Sequence, residues 1–195
     1  MLASDQGVTP LRPAEDFIRD VQTLHSQARE NLDRGAVTAA YGADLDRVVQ
    51  MLQTALATEL VCVLRYRQHH YAVTGMDAEP IAAEFLAHSE EELAHAGLIA
   101  ARISQLGSNP NFSPSTLEGR AHSEYVEAES LRAMVTENLV AERVAVAAYT
   151  DIIEWLGSSD PTTRRMLERI LAVEEEHADD LASMLDGLPA ATGPA

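Results

Sequence analysis

The strongest constraint in this sequence is a five-residue pattern written twice, Glu92-Leu93-Ala94-His95-Ala96 and Glu174-Glu175-Glu176-His177-Ala178. Spaced three apart, a Glu and a His share one face of an α-helix, about one turn from each other. Glu59 lies 33 residues before Glu92 and Glu142 lies 32 before Glu174, so the chain reads Glu, Glu-x-x-His, Glu, Glu-x-x-His. Each of these residues falls on a face that is otherwise apolar at helical spacing. Leu52, Leu56, Val63 and Tyr66 accompany Glu59. Phe85, His88, Ile99 and Ile103 accompany Glu92 and His95. Val135, Leu139, Val146, Tyr149 and Ile153 accompany Glu142, and Leu167, Ile170, Leu181 and Leu185 accompany Glu174 and His177.

Punctuation residues set four helices around these faces. The first is capped by Asp44, runs to about Tyr71 and is broken at Gly75. The second starts near Asp77, with Pro80 in its first turn, and ends before Gly107. The third is expected to be capped by Ser123, with Glu124 and Glu127 near its positive end, and to stop at Gly157. The fourth opens at Asp160-Pro161 and closes near Asp186-Gly187. The stretch 107–122, rich in Gly, Asn, Pro and Ser, is too long for a tight turn and reads as a crossover along the bundle. No strand signal of any length occurs. The expected class is all-α, a four-helix bundle over 44–187 with one long crossover between its second and third helices. Residues 1–43 form an N-terminal extension with one amphipathic helix from Ala14 to about Leu32, started by Pro13. That helix packs on the bundle or on a neighbouring subunit, and His25 is at the surface or an interface. Residues 188–195, rich in Ala, Pro and Gly, form a flexible tail.

The first and third bundle helices align through Glu59 to Tyr66 and Glu142 to Tyr149, each a Glu followed seven residues later by a Tyr. The second and fourth align through Glu-x-x-His-Ala. The chain is one helical hairpin written twice, and the two copies facing each other would enclose a near-symmetric pocket.

Four carboxylates and two imidazoles on apolar faces lack counter-charges, and a buried charge is either paired or bound to metal. Two divalent cations balance four carboxylates while both histidines stay neutral. The metal ligands are therefore Glu59, Glu92, His95, Glu142, Glu174 and His177. Glu92 and Glu174 are placed to bridge the ions; Glu59 with His95 completes one, and Glu142 with His177 the other. An oxygen-rich set with two imidazoles suits iron or manganese. Zinc could occupy it without redox chemistry.

Composition narrows the function further. The 195 residues carry 46% apolar and 23% charged residues, ordinary for one soluble domain. The net charge is -17, and all 14 basic residues are arginine. Such a surface is repelled by phosphate backbones, which disfavours nucleic acid, and it attracts cations. One cysteine, Cys62, excludes an internal disulfide and thiolate-rich metal sites. No transmembrane segment or secretory signal is read, so a cytoplasmic location is expected.

Taken with these motifs, Ala57-Thr58-Glu59-Leu60-Val61 to Tyr66, Glu91-Glu92-Leu93-Ala94-His95-Ala96, Asn138-Leu139-Val140-Ala141-Glu142 and Val173 to His177 resemble the bacterioferritins of the ferritin-like superfamily, over about residues 44–186. The resemblance implies a ferroxidase. Two Fe(II) ions per chain bind the six residues, O2 or H2O2 takes their electrons, and the product is stored in the hollow shell of a homo-oligomer. Tyr66 matches a tyrosine near the di-iron centre that can act as an electron donor; a hydrogen-bonded core tyrosine is the equally weighted alternative. Haem is not expected, because Leu93 stands where the family carries its haem-ligating methionine. The alternatives are peroxide removal at a di-iron or di-manganese site and a Dps-like protective shell. Against the latter, direct DNA binding is not expected. Cys62 reads as a small core residue, His88 as an accessory iron site or structural hydrogen-bonder, His69 and His70 as solvent-facing, and Trp155 and the methionines as packing.

Overall fold

The computed structural model describes residues 20–30, 32–73 and 78–189. Among them are five α-helices and no strand: α1 (Val21–Ala28), α2 (Leu45–Ala72), α3 (Glu79–Gln105), α4 (Leu131–Leu156) and α5 (Pro161–Gly187). The chain divides into two compact units, 1–40 and 41–195. In the first, α1 is capped by Asp20, whose carboxylate accepts from the backbone N–H of Gln22 and Thr23. None of its residues is buried, and it ends at Ala28, four residues short of the expected Leu32. Its expected start, with Pro13, Ala14 and Phe17, lies outside the described residues, as do Gly75, Asp77 and the tail from residue 190.

The second unit is the four-helix bundle. Asp44 caps α2 by accepting from Arg47 N–H, and Pro80 sits in the first turn of α3. Asp160 caps α5 and is also gripped from α3, where Arg102 Nη2 donates to both its oxygens at 2.9 and 3.0 Å. That pair ties the end of α3 to the start of α5. Helix α2 packs chiefly along α3, and α4 along α5. Tyr66, Phe85, Val135 and Leu181 close the core at one end. By length and composition α2 could cross a membrane, but in the bundle its apolar length is core, and more than half of it is buried.

One boundary differs from the sequence expectation. Helix α4 starts at Leu131 under Ser130, whose hydroxyl accepts from Ala133 N–H; Ser123 caps nothing and is buried in the crossover. The cause is tertiary. His122 N–H donates to Thr58 Oγ1 at 2.9 Å, Glu124 C=O accepts from Arg65 at 2.9 Å, and Val126 C=O lies 3.0 Å from His69 Nε2. Every second residue is thus held from α2, which keeps 122–126 extended against its local capping signal. His69 is correspondingly not solvent-facing: it is fully buried, with Asn138 Nδ2 3.0 Å from its Nδ1. His70 is half-buried, with Nδ1 2.7 Å from Ala82 O. Trp155 is 48% exposed rather than packed.

Candidate metal centre

Each bundle helix delivers one or two polar side chains to the middle of the interior. Glu59 comes from α2, Glu92 and His95 from α3, Glu142 from α4, and Glu174 and His177 from α5; all six are buried. They converge in two linked sets. His95 Nδ1 stands 3.5 Å from Glu59 Oε2, 3.6 Å from Glu92 Oε2 and 2.9 Å from Glu174 Oε1. His177 Nδ1 stands 3.3 Å from Glu92 Oε1, 3.9 Å from Glu142 Oε2 and 3.8 Å from Glu174 Oε2. Glu92 and Glu174 therefore present one oxygen to each histidine, while Glu59 and Glu142 serve one each. Two groups, Glu59-Glu92-His95-Glu174 and Glu92-Glu142-Glu174-His177, each bring their ligand atoms within 4.8 Å of one another.

The outer atoms of the site are held by hydrogen bonds. Tyr66 donates to Glu142 Oε1 and Tyr149 donates to Glu59 Oε1. Sequence spacing places each tyrosine above the glutamate of its own helix; in the bundle each reaches the glutamate of the opposite hairpin. The swap leaves Oε2 of both glutamates turned inward. His177 Nε2 lies 2.5 Å from Glu91 Oε2, which fixes the tautomer and points Nδ1 inward. His95 has no such acceptor among the described residues, because the position equivalent to Glu91 is Val173. Tyr149 and Glu91 were not among the expected site residues. The Tyr149 repeat is visible in the sequence, but the role of Glu91, one residue before a ligand in an acidic run, is not.

The inward atoms have no hydrogen-bond partner: Glu59 Oε2, Glu92 Oε1, Glu142 Oε2, both Glu174 oxygens, and Nδ1 of His95 and His177. The 2.9 Å approach of His95 to Glu174 lacks hydrogen-bond alignment. Buried polar atoms are normally satisfied, and seven orphans converging from six residues match the donor set of two metal ions. The ionisation pattern agrees. Burial, then the charges of Glu142 and Glu59, push Glu92 well above the usual carboxylate range. Burial, then Glu92 and Glu59, do the same to Glu174. Burial opposes ionisation of Glu59 too, but contacts from His95, Glu92 and Tyr149 outweigh it and hold Glu59 low. Burial would depress His95, yet Glu174, Glu59 and Glu92 overcome it and push it up to about 12.

Around this set, His88 is buried and stacked on His177 with ring centroids 4.0 Å apart, and its Nδ1 is 3.2 Å from the Tyr66 hydroxyl. Burial and the His177 charge depress it to about 3. Cys62 is a core residue whose Sγ accepts from Arg65 Nη2 at 3.5 Å. Leu93 is 49% exposed. Arg65 is a buried cation that the sequence reading missed; its position in the repeat, Ala148 on α4, gives no sign of it.

Comparison with known proteins places these features in a family. A ferritin-like domain model matches residues 49–191. A bacterioferritin of Mycobacterium avium is 30% identical over 71% of this chain and 84% of its own length. The bacterioferritin of Desulfovibrio desulfuricans is 26% identical over 76% of this chain and 88% of its own. Among solved structures, a dodecameric thioferritin, the bacterioferritin-related protein of Bacteroides fragilis, superposes with a TM-score of 0.72 at 30% identity, covering 75% of this chain and 88% of that one. The D. desulfuricans bacterioferritin, solved with its diiron site in different catalytic states, gives a TM-score of 0.65 at 23% identity and shares the fold.

Proposed function

The chain belongs to the ferritin-like domain family as a bacterioferritin-related member, and from that premise we propose that it is a ferroxidase which oxidises Fe(II) at the paired centre for iron storage and detoxification. The observation that carries the reading is the convergence of seven unpartnered, buried ligand atoms from six residues on four helices. Fe(II) is the substrate: two ions would bind and give up one electron each, and the two electrons with two protons from water would reduce O2 to H2O2, or H2O2 to two waters.

The protein's own part is positioning. Glu92 and Glu174 each turn one oxygen toward either histidine, so together they would hold two ions at about the 3.5–4 Å spacing usual for two-metal sites. Tyr66 and Tyr149 each hold the outer oxygen of one terminal glutamate, so its inner oxygen needs no reorganisation when an ion arrives. Glu91 holds His177 in the tautomer that offers Nδ1. Burial of the set excludes bulk water and strengthens every carboxylate–cation contact. Tyr66 is fully buried and bonded to Glu142, and the family resemblance supports a role for it as an electron donor to the centre. The B. fragilis relative is dodecameric; this chain would likewise assemble with copies of itself, here as a hollow shell in the cytoplasm that retains the ferric product.

The test is the rate of Fe(II) oxidation in air by the wild type and by Glu92→Gln/Glu174→Gln. Loss of fast oxidation in the folded double variant is expected. Wild-type rates in it would refute the assignment, and oxidation without retained iron would remove the storage role.

A further inference from the structure

The two hairpins are related, between α3 and α5, by an offset of 82 residues set by Glu92 and Glu174. Under that offset Glu84 corresponds to Met166, His88 to Ile170 and Asp180 to Leu98. Three residues of metal-ligating type on one side of the pseudo-symmetry are replaced by three apolar residues on the other. Because they come from two helices, a single polar surface stripe does not explain the break.

In the fold the three polar residues meet. One ligand atom from each of Glu84, His88 and Asp180 lies within 4.8 Å of the others. Glu84 and His88 are one turn apart on α3, with Glu84 Oε1 3.5 Å from His88 Nε2; Asp180 closes the group from α5. Glu84 and Asp180 are half-buried, whereas His88 is 2% exposed. Its hydrogen bonding sets which nitrogen is free. The single proton of the Tyr66 hydroxyl goes to Glu142, so the Tyr66 oxygen accepts from His88 Nδ1–H. Nε2 of the neutral ring then carries a lone pair, makes no hydrogen bond among the described residues, and faces carboxylate oxygens. A lone pair set against carboxylates is repulsive alone and becomes favourable around a cation.

We propose that Glu84, His88 and Asp180 form a third, mononuclear site for a divalent first-row cation, beside the paired centre and open to solvent on its carboxylate side. One imidazole and two carboxylates suit such ions. The His88 ring stacks on His177, and Tyr66 links it to Glu142, so an ion held here stands next to the paired centre. This makes it a staging position for incoming cations. That role rests on the proposed ferroxidase reading; the existence of the site does not.

Equilibrium dialysis of the full chain with Zn(II) tests it without redox chemistry. Three equivalents per chain are expected for wild type, two for Glu84→Gln/Asp180→Asn, and one for Glu92→Gln/Glu174→Gln. Zinc-soaked crystals should add an anomalous peak at His88 Nε2 that the Glu84→Gln/Asp180→Asn variant lacks. A wild-type stoichiometry of two, or a third equivalent that survives in Glu84→Gln/Asp180→Asn, would overturn the proposal. An undiminished stoichiometry in Glu92→Gln/Glu174→Gln would instead sink the paired-centre reading.

Discussion

At the scale of single residues, the two halves of the candidate centre are not equivalent. His177 is fixed by Glu91, whereas the residue at the equivalent place for His95 is Val173, whose side chain cannot accept a hydrogen bond. Loss of an acceptor behind a metal-bound histidine typically lowers metal affinity about 10- to 100-fold. Stepwise titration should therefore resolve a tighter and a weaker ion, and Glu91→Ala should weaken the tighter one by about that factor; an unchanged isotherm would contradict this role. Removing a hydroxyl that donates to a charged carboxylate costs about 1.5–3 kcal/mol. Tyr149→Phe, which frees Glu59 Oε1, is thus expected to lower affinity at the His95 side by at least tenfold with the stoichiometry retained, as read by the same titration. The convergence of the six inward residues was legible because helical periodicity alone puts them on apolar faces. The roles of Glu91, Tyr149 and Arg65 were not, because they depend on which helix lies opposite. The tyrosine–glutamate swap shows this directly: spacing along one helix pairs Tyr66 with Glu59, and packing pairs it with Glu142.

At the scale of elements, Asp44, Pro80, Gly157 and Asp160-Pro161 mark helix ends in the sequence that the structure keeps, since capping is local chemistry. The start of α4 is different. A buried network from Arg65 through Asn138 to His69 holds the crossover backbone at Glu124 and Val126, and no local rule reveals it. The Arg65 charge is met by neutral acceptors: Asn138 Oδ1, the Glu124 carbonyl and Cys62 Sγ. Arg65→Met should cost about 3 kcal/mol from the lost charged hydrogen bonds. The readouts are a lower Tm and faster amide exchange confined first to residues 121–128. Unchanged exchange there would show that the crossover is held by something else.

At the scale of the whole molecule, the centre links stability to pH. Glu92 and Glu174 are raised in the folded state above their usual value of 4.5, and His95 is raised from 6.5 to about 12. For all three the folded chain binds more protons than the unfolded one. Their contribution is complete below the unfolded values and is lost as pH rises, from above 4.5 for the glutamates and between 6.5 and about 12 for His95. Glu59, which is lowered, acts in the opposite sense and only on the acid side. Metal-free protein should therefore melt at lower temperature as pH increases through neutrality. Two bound cations, which need the ligands deprotonated, should remove or reverse that slope. Parallel slopes with and without metal, in calorimetric scans across pH, would contradict the linkage.

The central claim is that four helices aim six ligands at two ions held between Glu92 and Glu174. Anaerobic Fe(II) soaking of crystals, followed by anomalous diffraction at the iron edge, tests it most directly. Two peaks about 3.5–4 Å apart are predicted, one beside Glu59 and His95 and the other beside Glu142 and His177, both absent from Glu92→Gln/Glu174→Gln. A single peak, or iron bound only elsewhere on the acidic surface, would contradict it.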